Sequence, residues 1–546
     1  MDRRAFLKGM ALGAISAGAF AQEQGYPSPP ISSERKEWSV LDFSGRTFRS
    51  RLQNALKESA ASGINIRIPS GKALDLDAPI ELNADDPVRV SLTGEGMGAT
   101  LIRCEGGGIN IHGGPGSQYS FRGLSFMPQR PDEGTALSMS WSEATTGKGF
   151  ALEDVGFGAS QEDRRNYFTR CLEVRNKGNG QIIGCWFNGK ADEDPQGEGV
   201  VLAAANDVIM TATYMYNLGV GCSSDGPTSL EGFRMHGCFL VRVGRGLHFA
   251  AEPKGIPHIE VALSHINASY EAINIEGYSQ VNVVDNLIYA RNDIEVGDEQ
   301  TDIVLKYCPA ATIARNKFFS GMDRQKYHKT AIRMIGSVRN GRVSENLASE
   351  RTVFLDARDD GVSGAQDLII SKNKAERDLE GNETVSTMYR FSTSELHRRI
   401  TWEGYGDELA TRGTIEAPME IPAGVWTTVP FVAEQAAARL GIDFEPSTDS
   451  GEFTTPAGVT QIEVVARIQL KETGEGRCEA RTLLDTGTGY EEVAVFAADG
   501  PEADIMMNSA VLAVAIGSRI RVEVRATAGG VIVQAPAMTQ LLLRPR

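Results

Sequence analysis

Five short segments of the sequence carry chemically active side chains at a regular spacing. The segments read GLHFA from 246, AINIEG from 272, DIVLKY from 302, AIRMIG from 331 and TVFLDA from 352. Each alternates apolar and polar residues, which is the period of a β-strand and not of a helix. The polar residues in and beside these segments are His248, Asn274, Glu276, Tyr278, Lys306, Tyr307, Arg333 and Asp356.

Alternation predicts which of these side chains face outward together. If the apolar residues face a core, one outward column contains His248, Asn274, Val304, Arg333 and Phe354. The next column contains Ala250, Glu276, Lys306, Ile335 and Asp356. Tyr278 and Tyr307 lie just beyond the strand ends. Neighbouring strands of a sheet lie about 4.8 Å apart, so the columns predict one groove within four coils.

The residue types in this groove suit β-elimination on an acidic polysaccharide. That reaction needs a cation or amide to stabilise the enolate, a role for Arg333 or Asn274. It also needs a base to take a proton, a role for His248, Lys306 or Tyr307. We expect Glu276 to assist catalysis. We expect the substrate to be held by Asn274, Tyr278, Asp356 and Lys326, the last in the basic run RQKYHK (324–329).

Two alternatives remain for the same residues. A glycosidase needs two carboxyl groups about 5–9.5 Å apart. Glu276 and Asp356 are predicted to lie on the order of 14 Å apart, so hydrolysis would require a loop acid such as Glu252, Asp293 or Glu295 beside Glu276. Alternatively, Glu276 and Lys306 form only a surface ion pair, worth about 0–1 kcal/mol. No carboxylate bunch and no His/Cys motif indicates a metal, and we expect no cofactor.

An internal repeat predicts the scaffold that aligns these segments. Val283 and Asn286, Ile313 and Asn316, Val343 and Asn346, and Ile370 and Asn373 share one pattern, with asparagines 30, 30 and 27 residues apart. Such a period is typical of solenoids, in which each coil buries its apolar face against the next. Asparagine tolerates left-handed backbone angles at a corner and can form a ladder of side-chain hydrogen bonds. The sequence therefore predicts a parallel β-solenoid with the four asparagines stacked at one corner.

The segment before the repeats resembles the start of a known superfamily. FRSRLQNALKESAASG (48–63) places Phe48, Leu52, Ala55, Leu56 and Ser59 on one helical face. A strand ending in IPSGK and the run LTGEGMGATLI follow. This order resembles the pectate-lyase-like superfamily, which implies an all-β, right-handed parallel β-helix capped by the helix. The superfamily includes lyases, hydrolases, epimerases and phage tailspikes, so the resemblance alone leaves the reaction open.

The two ends of the chain predict further units. Residues 1–21, MDRRAFLKGMALGAISAGAFA, resemble a twin-arginine signal peptide with a small-x-small cleavage site. An uncleaved anchoring helix is the alternative. Residues 22–40 read as a linker and 41–377 as the β-helix. Residues 378–411 read as a connecting segment.

Residues 412–546 resume apolar alternation without the repeat, which predicts a smaller antiparallel β-sandwich. This part resembles a jelly roll of the complement and tumour-necrosis-factor type, which implies a possible homotrimer. A carbohydrate-binding β-sandwich would show a similar pattern of apolar alternation.

Composition narrows the functional class. The net charge is −16 at pH 7, which argues against a nucleic-acid partner. The seven cysteines read as core thiols. We therefore expect a periplasmic or extracellular enzyme, exported by the twin-arginine route, that cleaves a uronate-containing polysaccharide as a lyase. A glycoside hydrolase on the same scaffold and a tailspike-like trimeric glycan-binding protein or depolymerase are the alternatives.

Overall fold

The computed structural model describes residues 37–546 apart from short segments. The segments outside the description are 71–73, 146–148, 159–164, 191–194, 226–230, 252–257, 292–299, 321–328, 377–383, 393–398, 404–410, 415–416, 434–443, 447–450, 472–475, 500–501, 509–510, 529, 533–539 and 546. Four expectations fall outside it: the signal peptide over 1–21, most of the linker, Lys326, and the loop acids Glu252, Asp293 and Glu295. No helix among the described residues is long and apolar enough to cross a membrane.

Residues 37–403 form a parallel β-solenoid of about 11 turns. It begins with a 3₁₀ turn, Val40–Asp42, and one helix, α1 (Phe48–Ser62). Its strands are β1 (Glu37–Ser39), β2 (Asn65–Arg67), β3 (Leu74–Leu76), β4 (Ile80–Asn83), β5 (Arg89–Thr93), β6 (Leu101–Cys104), β7 (Ile109–Gly113), β8 (Gln118–Pro128), β9 (Glu133–Thr145), β10 (Phe150–Phe157), β11 (Phe168–Ile183), β12 (Trp186–Asn188), β13 (Glu198–Thr211), β14 (Tyr214–Tyr216), β15 (Val220–Ser224), β16 (Glu231–His236), β17 (Phe239–Ala250), β18 (Ile259–Ala262), β19 (His265–Glu276), β20 (Val281–Val284), β21 (Leu287–Ala290), β22 (Thr301–Lys306), β23 (Thr312–Ala314), β24 (Lys317–Ser320), β25 (Thr330–Ile335), β26 (Arg342–Ser344), β27 (Leu347–Ala348), β28 (Arg351–Arg358), β29 (Ile369–Ser371), β30 (Lys374–Ala375), β31 (Val385–Phe391) and β32 (Thr401–Glu403).

The strands pair in parallel along three ladders, which the chain visits in turn. The third ladder runs through β4, β7, β9, β11, β13, β15, β17, β19, β22, β25, β28 and β31. The second ladder includes β10, β12, β14, β17, β19, β21, β24, β27 and β30. Several long strands, such as β17 and β19, bend at a corner and serve two ladders.

Alternating apolar side chains build the core, as the sequence predicted. On the third ladder, Ile303, Leu305, Ile332 and Met334 are fully buried, while the residues between them face the other way. Each coil stacks the same inward positions on those of its neighbours, so the apolar surface of one coil is covered only by the next. The prediction of an all-β parallel solenoid is confirmed.

The four asparagines form the predicted ladder at the corner between the second ladder and the first ladder, which includes β18, β20, β23, β26, β29 and β32. The Oδ1 of Asn316 accepts from the backbone N–H and the side-chain Nδ2 of Asn286, both at 3.0 Å. Asn346 accepts from Asn316 at 2.9 and 3.0 Å, and Asn373 accepts from Asn346 at 3.1 and 2.9 Å. The side chains are buried, and these bonds prevent the cost of about 1–3 kcal/mol for an unpaired polar group.

The left-handed residue at this corner differs from the expectation. The residue before each asparagine has the positive φ: Asp285 at 58°, Arg315 at 55°, Glu345 at 57° and Lys372 at 53°. The asparagine itself lies one position later, where its side chain points inward and bonds the neighbouring coil. The amide is therefore selected for its hydrogen bonds and not for its tolerance of an unusual backbone angle.

Both ends of the solenoid are covered by other elements. Helix α1 begins with a reciprocal capping box between Thr47 and Ser50 and ends at Gly63, whose φ is 69°. Its predicted face, Leu52, Ala55 and Leu56, is fully buried. At the far end β31 and β32 continue the ladders beyond residue 377, where the sequence pattern placed the end of the solenoid.

The C-terminal part contains two separate antiparallel sheets. One consists of β33 (Thr411–Thr414), β34 (Met419–Ile421), β36 (Val432–Ala433), β39 (Gln461–Lys471), β42 (Glu502–Asn508), β43 (Leu512–Ala513), β45 (Gly530–Ile532) and β46 (Gln540–Pro545). The other consists of β35 (Thr427–Thr428), β37 (Glu445–Pro446), β38 (Glu452–Thr454), β40 (Arg477–Asp485), β41 (Tyr490–Asp499) and β44 (Arg519–Ala526). Trp402 of β32 donates its indole N–H to the Gly458 carbonyl, so these sheets contact the end of the solenoid.

Candidate active site

The third ladder aligns most of the predicted residues, with one correction of register. One outward column follows His248, Asn274, Val304, Arg333 and Asp356. The next follows Ala250, Glu276, Lys306, Ile335 and Arg358. Asp356 therefore belongs to the first column and not to the second.

Phe354, which alternation placed outward, is fully buried. In β28 both Phe354 and Leu355 are buried, and this break in alternation shifted the sequence register by two residues.

His248 and Asn274 are direct neighbours on adjacent strands. The Nδ1 atom of His248 is buried and has no hydrogen-bond partner among the described residues. Burial lowers the pKa of His248, and the positive charge of Arg245 lowers it further. The imidazole is therefore held neutral, which is the form that can accept a proton.

Lys306, Glu276 and Tyr307 lie beside this pair but are engaged with one another or with neighbours. The Nζ atom of Lys306 lies 3.6 Å from Oε2 of Glu276, and both side chains are more than one-third exposed. Tyr307 is 42% exposed, and its hydrogen bond to Asp360 raises the pKa of the phenol. Tyr307 is thus less suited to act as a base than the sequence suggested.

Three arginines converge on Asp356, which the sequence placed in the substrate groove. The Nε atoms of Arg333, Arg358 and Arg390 lie 3.1, 2.8 and 2.9 Å from its carboxylate oxygens. We call these four residues the Asp356 cluster. The Asp356 side chain is 2% exposed and the Arg333 side chain is 10% exposed. Burial opposes ionisation, but the hydrogen bond from Arg390 and the charges of the arginines hold the pKa of Asp356 below its usual range.

One further expected substrate contact, Tyr278, does not lie on the groove. Tyr278 is fully buried in the core, and burial raises the pKa of its phenol. Its position at a corner hid this from the sequence, because alternation stops where the strand ends. Lys326 lies outside the described residues.

A group of charged residues that the sequence reasoning missed lies on earlier rungs of the same ladder. Arg170, Glu173 and Arg175 come from β11, Glu198 begins β13, and Asp225 follows β15. We call these five residues the Glu198 cluster. The segment CLEVRN from 171 alternates in the same way as the others, so Glu173 and Arg175 could have been found. Glu198 and Asp225 lie at strand ends, where alternation gives no signal.

Arg170 joins the three carboxylates of the Glu198 cluster. Its Nε lies 3.2 Å from Oε2 of Glu198, and its Nη2 lies 3.7 Å from Oδ1 of Asp225. A third nitrogen, Nη1, donates to Glu173. Arg175 contacts Glu173 at 2.9 Å and also bonds Asp225. The cluster is half-buried and has three carboxylates to two guanidinium groups.

The environment moves the pKa values of two of these carboxyl groups in opposite directions. Burial raises the pKa of Glu198 against the opposing charge of Arg170, and the negative charges of Asp225 and Glu173 add to the rise. For Glu173, hydrogen bonds and charge from Arg175 outweigh burial, so its pKa is lowered. Neighbouring carboxyl groups whose pKa values are pushed apart can share the roles of acid and base.

The described residues contain no group of His, Cys, Asp and Glu arranged to hold a metal ion. The seven cysteines are all buried, and burial raises the pKa of each thiol in the solenoid. Their interpretation as core thiols agrees with this placement.

Comparisons with known proteins find similarity in structure only. No protein-family model matches the chain, and no curated protein matches it. A double mutant of the tailspike protein of E. coli bacteriophage HK620, in complex with a pentasaccharide, has a TM-score of 0.44 at 11% identity, covering 93% of this chain and 94% of that one. DFA-IIIase from Arthrobacter chlorophenolicus A6, in complex with GF2, has a TM-score of 0.39 at 10% identity, covering 68% and 94%. The Eiger TNF of S. frugiperda has a TM-score of 0.22 at 11% identity, covering 25% and 92%.

Proposed function

We propose that the protein hydrolyses glycosidic bonds of a polysaccharide at the Glu198 cluster. The observation that carries this proposal is that Glu198 and Glu173 contact the same guanidinium group of Arg170, while their pKa values are moved in opposite directions. Glycoside hydrolysis needs one carboxyl group that keeps its proton and a second that is ionised. The reaction class therefore follows from the pair and not from the fold.

Three residues of the cluster have distinct roles in this proposal. Glu198 donates its proton to the glycosidic oxygen as the bond breaks, because its raised pKa favours the acid form. Glu173 is ionised and acts on the anomeric carbon, either directly or through a water molecule. Arg170 touches both carboxyl groups and fixes their relative position.

The ladder on which the cluster lies suits a polymeric substrate. After Glu173 the same column continues through Val201 and Ser223, which are buried, to His248 and Asn274, which are half-buried. Successive rungs lie about 4.8 Å apart, so these two polar groups lie a few rungs beyond the cluster. A polysaccharide laid along the ladder would meet the imidazole of His248 and the amide of Asn274 beyond the cleaved bond.

A lyase remains the second candidate, and His248 is the observation that favours it. Its lowered pKa and its unpartnered Nδ1 give a neutral imidazole on the same face. Such a group could take the proton that β-elimination removes. Of the two stabilisers expected for that reaction, Arg333 is less available, because it is buried against Asp356, and Asn274 lies beside His248.

The test measures which products Glu198→Gln forms from neutral and acidic polysaccharides, and how fast it forms them. We expect the rate of reducing-end formation to fall by roughly 10²–10⁴-fold, the range for a lost general acid. Glu153→Gln is the matched control, because Glu153 forms a half-exposed pair with Arg122 at 3.2 Å on another ladder. An unchanged rate in Glu198→Gln contradicts the proposal. Ultraviolet absorbance of an unsaturated product, lost in His248→Ala, would establish the lyase instead.

Two proposals about the whole protein rest on the sequence alone. We propose that residues 1–21 direct export by the twin-arginine route, so that the enzyme meets its substrate outside the cytoplasm. We also propose that the C-terminal antiparallel sheets mediate assembly as a homotrimer.

A further inference from the structure

An exposed column of aromatic rings lies on the second ladder, away from the Glu198 cluster. Trp186 of β12, Tyr214 of β14, Phe239 of β17 and His265 of β19 are register partners on successive strands. Tyr216, two residues along β14, stands beside them. We call these five residues the aromatic surface. Trp186 and Tyr214 are 38% and 37% exposed, and the other three are half-buried.

The rings are ordered against one another. The ring centroids of Tyr214 and Phe239 lie 5.0 Å apart with planes at 6°, and those of Trp186 and Tyr216 lie 5.1 Å apart at 25°. Tyr214 and Tyr216 are almost parallel, with planes at 2°. Mutual stacking holds each ring in one orientation, so a ligand would lose little side-chain entropy in binding.

The aromatic run is confined to one part of its column. Ser125 and Gly156 occupy the column before Trp186, and Leu287 and Lys317 follow His265. Gly156 has no side chain, so no ring from that position covers the indole of Trp186. Aromatic side chains on an outward face are not needed for the core, and exposed apolar patches of this kind mark binding sites.

The chemistry of the surface fits a neutral sugar. Tyrosine, tryptophan and phenylalanine carry no charge at neutral pH, and burial lowers the pKa of His265, which keeps it neutral as well. Amide groups lie at the edge: the Nδ2 of Asn217 donates to Oδ1 of Asn188 at 3.0 Å. Aromatic faces match the apolar C–H faces of a pyranose ring, and amides can bond its hydroxyl groups.

The aromatic surface and the groove on the third ladder share two strands. Strand β17 carries Phe239 at one end and His248 at the other, and β19 carries His265 and Asn274 in the same way. At the bend between the ladders, Tyr270 is 37% exposed and lies 5.8 Å from the guanidinium group of Arg245. A polysaccharide chain can therefore contact both faces without leaving the protein surface.

We propose that the aromatic surface binds neutral pyranose residues of the polysaccharide outside the cleavage site. The ligand class rests on the proposed function, but the binding itself does not require the Glu198 cluster to be catalytic. The surface would hold the polymer while the groove acts on another part of it. The competing occupant is a second copy of this chain, and the test includes that outcome.

The experiment measures binding of the full chain to single polysaccharides by affinity electrophoresis. The probes are xylan, galactan and glucomannan as neutral polymers, with polygalacturonate and alginate as acidic ones. We expect Trp186→Ala and Tyr214→Ala to weaken binding to at least one neutral polymer by about tenfold or more. Trp186→Phe keeps a ring in place and should retain most of the affinity. Trp38→Ala is the matched control, because Trp38 is 41% exposed and lies on β1, the first strand of the solenoid, and not in the aromatic surface.

The outcomes separate this inference from the proposed function. Unchanged binding in Trp186→Ala overturns the inference alone, even if Glu198→Gln abolishes cleavage. If Trp186→Ala weakens binding and Glu198→Gln still cleaves at the full rate, only the proposal of hydrolysis at the Glu198 cluster is overturned. If the wild type binds none of the neutral polymers, the proposal that the aromatic surface binds neutral sugars is overturned. A change of oligomeric state in Trp186→Ala, measured by size-exclusion chromatography, assigns the surface to a second copy and also overturns it.

Discussion

The Glu198 cluster and the Asp356 cluster lie on the same ladder and use the same residue types, yet their electrostatics differ. In the first, three carboxylates share two guanidinium groups and stay partly exposed. In the second, three guanidinium groups converge on one buried carboxylate. The pKa of Glu198 is raised, whereas the pKa of Asp356 is lowered.

The contrast shows that burial and the balance of nearby charges, and not the presence of an ion pair alone, decide the direction in which the pKa of a carboxyl group moves. Burial, with a smaller contribution from Asp225 and Glu173, favours the protonated form of Glu198. An acid surrounded by arginines is held ionised and has no proton to give. The comparison therefore favours the Glu198 cluster as the site of the proposed chemistry and indicates a structural role for the Asp356 cluster, where the sequence analysis had expected a substrate contact.

The largest effect on stability is expected from Asp356→Asn. This substitution removes a buried carboxylate that bonds three arginines, and breaking a buried ion pair typically costs about 3–5 kcal/mol. The free energy of unfolding in urea measures the loss. Asp285→Asn is the control, because Asp285 pairs with Arg315 at 2.8 Å on the surface, where such pairs contribute about 0–1 kcal/mol. Equal losses in the two variants would contradict the structural role.

The pH dependence of the same variant provides an independent check. The folded-state pKa of Asp356 is depressed, so its contribution to stability is complete above the unfolded pKa of about 3.9 and is lost as pH falls below it toward the folded value. We expect wild-type stability to decline over that acidic window more steeply than the stability of Asp356→Asn.

The alkaline limb of the pH–activity profile tests the Glu198 cluster. Glu198 must be protonated, so activity is lost as pH rises through its pKa. Arg170 lowers that pKa and Asp225 raises it. We therefore expect Arg170→Gln to move the alkaline limb of kcat/KM to higher pH and Asp225→Asn to move it to lower pH. Shifts in the same direction, or no shift in either variant, would show that Glu198 is not the acid whose titration produces the alkaline limb.

The repeats allow the scaffold to be predicted from the sequence. They allow only part of the candidate active site to be predicted. Val283 and Asn286 with their equivalents determined the coil period, and inward Ile303 and Leu305 determined the faces of the third ladder. These signals are local, because each coil repeats the same pattern. His248 and Asn274 were correctly paired for this reason.

The remaining residues depend on contacts that no local pattern records. Glu198 and Asp225 lie at strand ends, and only the stacking of coils brings them to Arg170. Asp356 was misplaced because adjacent buried residues, Phe354 and Leu355, interrupt alternation in β28. Burial by neighbouring segments likewise decides that Arg333 faces a carboxylate and not solvent.

The smallest effect is expected at the exposed pair between these two clusters. Lys306 and Glu276 lie 3.6 Å apart with side chains 36% and 43% exposed, so water screens their attraction. Lys306→Ala should therefore change the free energy of unfolding by no more than about 1 kcal/mol. Arg333→Ala, one rung further, should cost more, since it removes a buried hydrogen bond to Asp356 at 3.1 Å. Urea unfolding of the two alanine variants side by side makes the comparison. A cost for Lys306→Ala as large as that for Arg333→Ala would show that the groove is buried at Lys306, and that charge pairing there is structural in the same sense as in the Asp356 cluster.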